Sequence, residues 1–354
     1  MSLRALKVFV RAAALCAAAV AAAPAPARPL FASDSTLRIR IEAPIQRIMR
    51  AAATSTDPHE GALSLTDPNQ RHAIRVSARG LSRRRRESCT FPPLRVEFLS
   101  PPSAGTLFEG HERLKLVTHC RSQASFQQHI LLEYAAYRLL NVLSPRSFRV
   151  RLVLVDYVES GRTEPMLSRY GFFIEDVDDV ARRNGLREAA TGNIALAQLS
   201  AVDTARFAMF QYMIGNIDWS AQTGPPGSGC CHNARLLGAA RLSTTQLVPI
   251  AYDFDQSGLV DVPYAAIPAQ LRLRSVRERR YRGYCLHGSE TAAVIAEMKV
   301  ARPSLEQALV GIPGMDADTR RSALSYLAGF FEDVETPQRV SDRLLRSCRG
   351  SGAD

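Results

Sequence analysis

The chain has 354 residues, of which 46% are hydrophobic and 22% are charged, and its formal net charge is +11. This composition excludes a mainly disordered chain and is sufficient for a sizeable hydrophobic core. One large domain of two lobes and two separate domains both fit this length. The positive charge favours acidic partners or an anionic envelope surface.

Residues 1–27 have the pattern of an export signal. Arg4, Lys7 and Arg11 accompany a short alanine-rich apolar run, and small residues near Ala23 or Ala27 suit cleavage. The apolar run is shorter than the ~20 residues that a membrane-spanning helix needs. We therefore predict export to the periplasm or the extracellular space, without a transmembrane helix after cleavage. An uncleaved N-terminal anchor is the alternative.

The next part of the chain shows the alternation of apolar and polar side chains that is typical of β-strands. Four strands are predicted, over residues 36–42, 72–79, 92–98 and 113–118. Residues 51–70 are rich in Ala, Ser, Thr, Asp and Pro and are predicted to form a loop. Four strands joined by short turns predict a mostly antiparallel N-terminal sheet.

From Ser125 the apolar residues follow a helical period, which predicts a helix to about Leu143. Two strands follow, over residues 148–157 and 170–175. Helices are then predicted over about 178–186, 194–214, 291–299, 304–311, 317–333 and 337–347. We divide the chain into a signal peptide (1–27), a strand-rich lobe (28–175) and a helical lobe (176–354).

Carboxylate and amide side chains recur at predicted element ends between Ala205 and Asp261. Asp218 follows a predicted helix, Asp253 and Asp255 follow a short apolar strand, and Asn233 lies between them. Such oxygen ligands suit Mg²⁺ or Mn²⁺ that holds a polyphosphate, with one aspartate left as a base. The alternative is that Asp218 caps a turn and the other two aspartates lie in a solvated loop.

Lysine is rare in this sequence. Of 45 basic residues, only Lys7, Lys115 and Lys299 are lysines. Lys115 lies in the middle of a predicted strand, where a compact ammonium group can reach between phosphate oxygens. Glu133 on the following helix is its expected partner. A surface-facing strand lysine and an exposed helix glutamate are the alternatives.

These motifs, taken in chain order, resemble the protein-kinase-like superfamily. They are a strand lysine, a helix glutamate, a strand ending in G-F-F-I-E, an N-x-D loop, an H-N pair and a D-F-D motif. The family that they resemble most is the spore-coat protein H (CotH) kinase-like family, with HipA-type and secretory-pathway kinases more distant. The resemblance extends from about Ile74 to Val260.

The resemblance implies an α+β, two-lobed protein-kinase-like fold, with a mostly antiparallel N-terminal sheet carrying one helix and a mainly helical C-terminal lobe. It also implies ATP as a substrate and Mg²⁺ or Mn²⁺ as the metal. On the nucleotide side, the resemblance implies that Lys115, paired with Glu133, binds phosphate, that a turn at Gly80 covers the phosphates, and that Glu175 lies near the adenine. Asp218 would orient or deprotonate the acceptor. Asn233 and Asp253 would bind the metal, and Asp255 would bind a second ion or the water of the first.

The sequence departs from the kinase pattern in three places. Asp218 and Asn233 are 15 positions apart, whereas kinases place these residues about five apart. The insertion T-G-P-P-G-S-G-C-C is rich in turn residues and is expected to loop out, which would return Asn233 to the site. Gly80 is a lone glycine, and Asp255 stands where the standard kinase has glycine.

Together these features predict an exported, metal- and ATP-dependent phosphotransferase that acts on a protein or envelope acceptor. Transfer of another group, such as adenylyl, stays open. The basic stretch Leu273–Arg282 suits an acidic acceptor. The alternative function is a non-catalytic, disulfide-stabilised envelope binding or scaffold protein. A nuclease or phosphatase that uses the aspartates alone leaves Lys115 and Glu133 without a role.

No nucleic-acid partner is expected. The run from Arg83 to Arg86 has no interleaved aromatic residues, no zinc-finger spacing and no recognition-helix motif beside it. We therefore interpret this run as a solvated edge of the protein, which can face phosphate.

Six cysteines follow the predicted signal, and an even number in an exported protein indicates disulfides. We predict a Cys89–Cys120 bond, because each residue lies beside a predicted strand, and a Cys285–Cys348 bond. The pairing of Cys230 and Cys231 is left open.

Overall fold

The computed structural model describes residues 28–66, 69–190 and 192–350. The predicted export signal, residues 1–27, lies outside the described residues. Within the described ranges, no helix has both the length and the apolar character needed to cross a membrane.

Seven strands of the N-terminal half form a closed barrel. They are β1 (Leu37–Ala43), β2 (His59–Leu65), β3 (Gln70–Ala78), β4 (Leu94–Phe98), β5 (Arg113–Val117), β6 (Val150–Glu159) and β7 (Leu167–Ile174). Their order around the barrel is β1-β2-β3-β4-β5-β7-β6. All neighbours are antiparallel except β6 and β1, which close the barrel in parallel with Leu37 opposite Val153.

The barrel corrects the predicted fold. A two-lobed kinase-like fold with an N-terminal sheet and one helix was expected, whereas the described residues form a closed, mixed seven-strand barrel with seven helices.

Residues 51–70, predicted to be a loop, contain β2, which joins β1 to β3. Gly61 in this strand is required, because a Cβ atom there would lie 2.3 Å from the Glu42 carbonyl oxygen. Such a strand, rich in small residues, has a weak β signature.

The helices mostly follow the predicted segments. They are α1 (Ile45–Ala51), α2 (Ala124–Leu143), α3 (Val177–Arg183), α4 (Ala201–Met213), α5 (Gly288–Val310), α6 (Ala317–Asp333) and α7 (Pro337–Arg343). The helix predicted over 317–333 is confirmed. The two helices predicted on either side of Pro303 are one continuous helix, α5, with this proline inside it.

A small second sheet lies in the C-terminal half. Its strands are β8 (Arg187–Glu188), β9 (Ala234–Gly238) and β10 (Val248–Ala251), in the order β10-β9-β8, with antiparallel pairing. The ends of β9 and β10 carry the predicted site residues: Asn233 directly precedes β9, and Asp253 follows β10.

Two hydrophobic cores hold these elements together. The barrel interior is filled by side chains such as Ile39, Val76 and Val155. The second core contains residues from both sides of residue 175, including Tyr137 of α2 and Phe210 of α4. Helix α2 contacts both β7 and α5, so it connects the barrel to the C-terminal helices. Burial of this much apolar area supplies most of the stabilisation.

Three disulfides are present in the described structure, and both predicted bonds are confirmed. Cys89 bonds to Cys120 with a Cα–Cα distance of 4.7 Å, and Cys285 bonds to Cys348 with a distance of 5.1 Å. Cys230 and Cys231 form the third pair. Disulfides of this number are typical of proteins in oxidising compartments.

We expect the Cys89→Ser/Cys120→Ser double variant to lose about 3–4 kcal/mol of unfolding free energy, because this bond closes a long loop in the unfolded chain. The bonded residues are 31 positions apart, and urea unfolding under oxidising conditions measures the loss. The Cys230→Ser/Cys231→Ser variant is the control. Its cysteines are adjacent, so removing their bond should lower the unfolding free energy by less than about 1 kcal/mol. Equal losses in both variants would contradict this account.

Candidate functional site

The Asp218 loop is fixed directly after α4. Gly215 has φ +65°, and a Cβ atom there would lie 2.0 Å from the Tyr326 hydroxyl oxygen, so glycine is needed to end the helix. The Asn216 side-chain oxygen then accepts a hydrogen bond of 3.0 Å from the Asp218 backbone N–H. The indole N–H of buried Trp219 donates to the Asn216 carbonyl oxygen at 3.1 Å. These contacts hold the Asp218 side chain at the surface of the site.

The insertion after Asp218 loops out, as the sequence predicts. Ser220 and His232 exchange backbone hydrogen bonds of 3.0 and 3.1 Å, so the segment between them leaves and returns at one place. The Cys230–Cys231 pair lies at the end of this segment, directly before His232. The chain therefore brings Asn233 back beside Asp218 across 15 positions.

Three side chains converge on the Asp218 carboxylate. His232 Nε2 lies 2.7 Å from Oδ1, while Asn233 Nδ2 donates to Oδ2 at 3.0 Å and to the Asp218 carbonyl oxygen at 2.7 Å. Gln256 Nε2 lies 3.3 Å from Oδ2. The hydrogen bond to Asp218 raises the pKa of His232, and the charge of Asp253 adds to the rise. Asp218 is thus held as an oriented carboxylate.

Asp253 is placed by helix α2. It has φ +63°, and its backbone N–H donates to the Tyr137 hydroxyl oxygen at 3.0 Å. The next residue, Phe254, is buried with its ring 4.5 Å from that of Tyr137 and 5.2 Å from that of Phe210. The D-F-D segment is therefore anchored to α2 and α4 by its central aromatic ring.

The Asp253 carboxylate itself has no hydrogen-bond or ion-pair partner among the described residues. The residue is exposed to solvent. Partial desolvation by the neighbouring protein raises the pKa of Asp253 to about 6, and the nearby Asp255 carboxylate adds to the rise. An unpaired carboxylate with a raised pKa is typical of functional sites.

Arg83 corrects the interpretation of the arginine run as a solvated edge. Its side chain is buried, with Nη2 donating to Glu133 at 2.6 Å and Nε donating to Asp255 at 2.9 Å. The Tyr264 hydroxyl also donates to Asp255, at 3.0 Å. Burial raises the pKa of Glu133 to about 8, although the Arg83 charge opposes the rise. The turn at Gly80, with φ +86°, precedes the segment that carries Arg83 inward.

Lys115 does not pair with Glu133, which is occupied by Arg83. Lys115 Nζ instead lies 3.5 Å from an oxygen of Asp176. Burial lowers the pKa of Lys115, and Asp176 partly offsets this effect. Burial likewise lowers the pKa of Arg79. The negative charge of Asp253 is the largest effect that raises this pKa. Arg79, which directly precedes Gly80 of the turn expected to cover the phosphates, is thus a cation close enough to be influenced by Asp253.

Glu175 has a structural environment. Its carboxylate accepts hydrogen bonds from Arg183 Nε at 2.9 Å and Nη2 at 3.0 Å, and from the Arg149 backbone N–H at 2.9 Å. This buried ion pair joins the start of β6, the end of β7 and helix α3. The expected contact of Glu175 with adenine stays a prediction, and its carboxylate is already occupied.

Two oxygens of the site suit a divalent cation. The Asn233 side-chain oxygen and the Asp253 carboxylate have no protein partner among the described residues, and both are hard ligands. Asp255 is buried and held by Arg83 and Tyr264. The described ranges contain no cluster of three or more His, Cys, Asp or Glu side chains at metal-binding spacing. Mg²⁺ commonly uses one or two carboxylates together with substrate phosphates and water, so the pair fits it.

The basic stretch over 273–282 is partly structural. Arg277 and Arg279 lie over the Tyr326 ring, at 4.8 and 3.9 Å from its centre, and Arg282 lies 5.4 Å from that of Trp219. Cation–π contacts of this kind use the arginines to pack the loop. A role of this stretch in binding an acidic acceptor stays a prediction.

Searches with models of known protein families and among curated proteins found no match to this sequence.

Three residues of the site were not predicted from the sequence: Arg83, Gln256 and Tyr137. Arg83 binds Glu133 and Asp255, Gln256 lies beside Asp218, and Tyr137 accepts from the Asp253 backbone N–H. Gln256 directly follows the D-F-D motif, so its neighbourhood was available from the sequence. Arg83 is one of four consecutive arginines, and nothing local distinguishes the one that is buried.

We expect Arg83→Met to lose about 3–5 kcal/mol of unfolding free energy, because it leaves two buried carboxylates without their cation. Urea unfolding at neutral pH measures the loss. Adding Glu133→Gln and Asp255→Asn to this variant should restore part of it, since the uncompensated charges are then gone. The control Arg85→Met changes an exposed neighbour and should cost less than about 0.5 kcal/mol. Similar losses at both arginines would refute the burial argument.

We expect Asp253→Asn to stabilise the protein at neutral pH but not in acid. The pKa of Asp253 rises from 3.8 to about 6 on folding, so wild-type stability should fall as pH increases from about 4 to about 6 and change no further above that. The variant lacks this titration, and the difference in melting temperature should therefore grow between about pH 4 and pH 6 and then stay level to about pH 8. Asp57→Asn, at an exposed loop position, is the control. A constant difference across this range would contradict the raised pKa.

Proposed function

We propose that this protein is a metal- and ATP-dependent phosphotransferase that acts on a hydroxyl group of a protein or envelope acceptor. The observation that carries the proposal is the hydrogen bond of Asn233 to the oriented Asp218 carboxylate, with the Asp253 carboxylate close enough to be influenced by the charge of Asp218. The Asn233 side-chain oxygen and the Asp253 carboxylate have no partner among the described residues. Three separate chain segments supply these groups, and the cations Arg79 and Lys115 lie nearby on the barrel. Positioning and electrostatic stabilisation are the main requirements of phosphoryl transfer.

The residues have distinct roles in the proposed reaction. The acceptor hydroxyl oxygen forms a bond to the γ-phosphorus, the bond from that phosphorus to the β–γ bridging oxygen breaks, and ADP leaves. The hydroxyl proton passes to the Asp218 carboxylate, which His232 and Asn233 hold in place. Arg79 and Lys115 bind phosphate oxygens and neutralise charge. Mg²⁺ or Mn²⁺ held by Asn233 and Asp253 would supply further neutralisation of the phosphate charge.

Two further observations support an exported enzyme of this class. The motif order resembles that of CotH kinase-like proteins, and the predicted signal and three disulfides fit an oxidising compartment. The family assignment and the export of the chain are parts of the proposal.

A non-catalytic binding protein is the second candidate. It is favoured by Arg83, which binds Glu133 and Asp255 and so withholds both carboxylates from a nucleotide and its metal. Of the expected metal ligands, Asn233 and Asp253 are then the ones with unpartnered oxygens. A binding protein of this kind would bind ATP and metal without transferring phosphate.

We expect the purified protein to bind ATP in the presence of Mn²⁺ or Mg²⁺, measured by calorimetric titration. Asp253→Asn should weaken this metal-dependent binding by at least about tenfold, because it removes the charged ligand. Asp218→Asn should bind ATP like the wild type but lose phosphate transfer, followed with labelled ATP and an envelope extract. Asp57→Asn is the control for both.

Each result distinguishes the candidates. Transfer retained in Asp218→Asn would exclude this residue as the base. Tight ATP binding without transfer in the wild type would favour the non-catalytic candidate, and no binding of ATP with either metal would refute both.

A further inference from the structure

The outer face of the barrel forms a cleft with the second sheet beside Lys115. Two cavities, of about 240 and 410 Å³, share Asp178, Glu188 and Arg235 as lining residues, so they adjoin each other. We call the two cavities together the basic cleft. Its larger part alone is within the size range of small-molecule sites, about 300–1,000 Å³.

Cations outnumber carboxylates in the basic cleft. The lining contains three acidic residues, Asp176, Asp178 and Glu188, and six basic residues, Arg95, Arg113, Lys115, Arg187, Arg235 and Arg241. Arg95 and Lys115 are directly opposite each other on β4 and β5, which places two positive charges on the same face of the barrel. An excess of cations on a concave surface attracts anions.

The ion pairs inside the basic cleft are loose. Lys115 lies 3.5 Å from Asp176, Arg235 lies 3.6 Å from Glu188, and Arg95 lies 3.9 Å from Glu97. These distances exceed those of good charge-assisted hydrogen bonds. The buried Arg83, in contrast, binds its carboxylates at 2.6 and 2.9 Å. The cleft cations therefore keep hydrogen-bonding capacity for an anionic ligand.

The basic cleft offers little that recognises a nucleobase. Seven of the nine residues that line its smaller part are charged, whereas sites for planar organic groups are mostly apolar and aromatic. No aromatic residue of the described ranges lines either cavity, and the Tyr252 ring beside Arg235 has this guanidinium over its face at 5.6 Å and packs edge-on against Phe148 at 6.0 Å. Glu175, expected near adenine, is bound to Arg183.

The basic cleft lies beside the strand ends that carry the proposed metal ligands. Arg235 is on β9, which begins directly after Asn233, and Tyr252 directly precedes Asp253. The Tyr252 backbone N–H donates to the Asn233 carbonyl oxygen at 3.2 Å, so the two strand ends are adjacent. A chain of phosphates lying along the cleft cations would therefore have one end close to the strand ends that carry Asn233 and Asp253.

We infer that the basic cleft binds the phosphate donor through its phosphoanhydride chain, with little discrimination of the base. This inference rests on the proposed function and defines its donor class. ATP, GTP and inorganic tripolyphosphate share this phosphate chain. They differ in the nucleoside, for which the cleft provides no specific contacts.

Competition calorimetry on the purified protein, with Mg²⁺ present, tests the inference by comparing ATP, GTP and inorganic tripolyphosphate as ligands. We expect the dissociation constants of ATP and GTP to agree within about threefold, and that of tripolyphosphate to lie within about tenfold of them. Arg235→Gln should weaken all three by a similar factor of about tenfold, because each loses the same charged contact. The control Arg47→Gln, on the exposed side of α1, should leave all three unchanged.

Two results overturn the inference and differ in what they mean. ATP binding more than about thirtyfold tighter than GTP, with tripolyphosphate inactive, would show a base-specific pocket and leave the phosphotransferase proposal intact. Binding of none of the three compounds, with Mg²⁺ or Mn²⁺, would refute both the donor class and the proposed function.

Discussion

The buried contact of Arg83 with Glu133 and Asp255 is the interaction on which the arrangement of the site depends. It joins three distant segments: the turn after β3, helix α2, and the loop after β10. Taking these charges from water is costly, so the contact is favourable only while all three groups stay in place. By occupying Glu133 and Asp255, Arg83 leaves the neighbouring Asp253 carboxylate as the one that meets solvent.

The site therefore separates two kinds of carboxylate. Those bound to Arg83 are internal and fix the positions of the chain segments, whereas the Asp218 and Asp253 carboxylates are reached by solvent. Asp218 is oriented by neutral or titratable donors, and Asp253 is held through its backbone by Tyr137. Fixed donors and an unpaired carboxylate are the features that a preorganised phosphate site requires.

Local patterns in the sequence were sufficient for most elements. Alternation identified β1 and β3, a helical period identified α2 and α6, and turn residues indicated that the insertion after Asp218 loops out. Barrel closure was not accessible in this way, because the partner of β1 is β6, far along the chain. The choice of Arg83 over Lys115 as the partner of Glu133 is equally non-local, since either cation satisfies a carboxylate and only the packed structure decides which reaches it.

The parallel pairing of β1 with β6 has a consequence for how the protein folds. β1 cannot complete its pairing until β6 has been synthesised, and helix α2 lies between the two strands in sequence. Bringing such distant segments together costs chain entropy before any contact compensates for it. The hairpins of β2 with β3 and of β6 with β7 are local, so we expect them to form early and the seam between β1 and β6 to close late in barrel assembly.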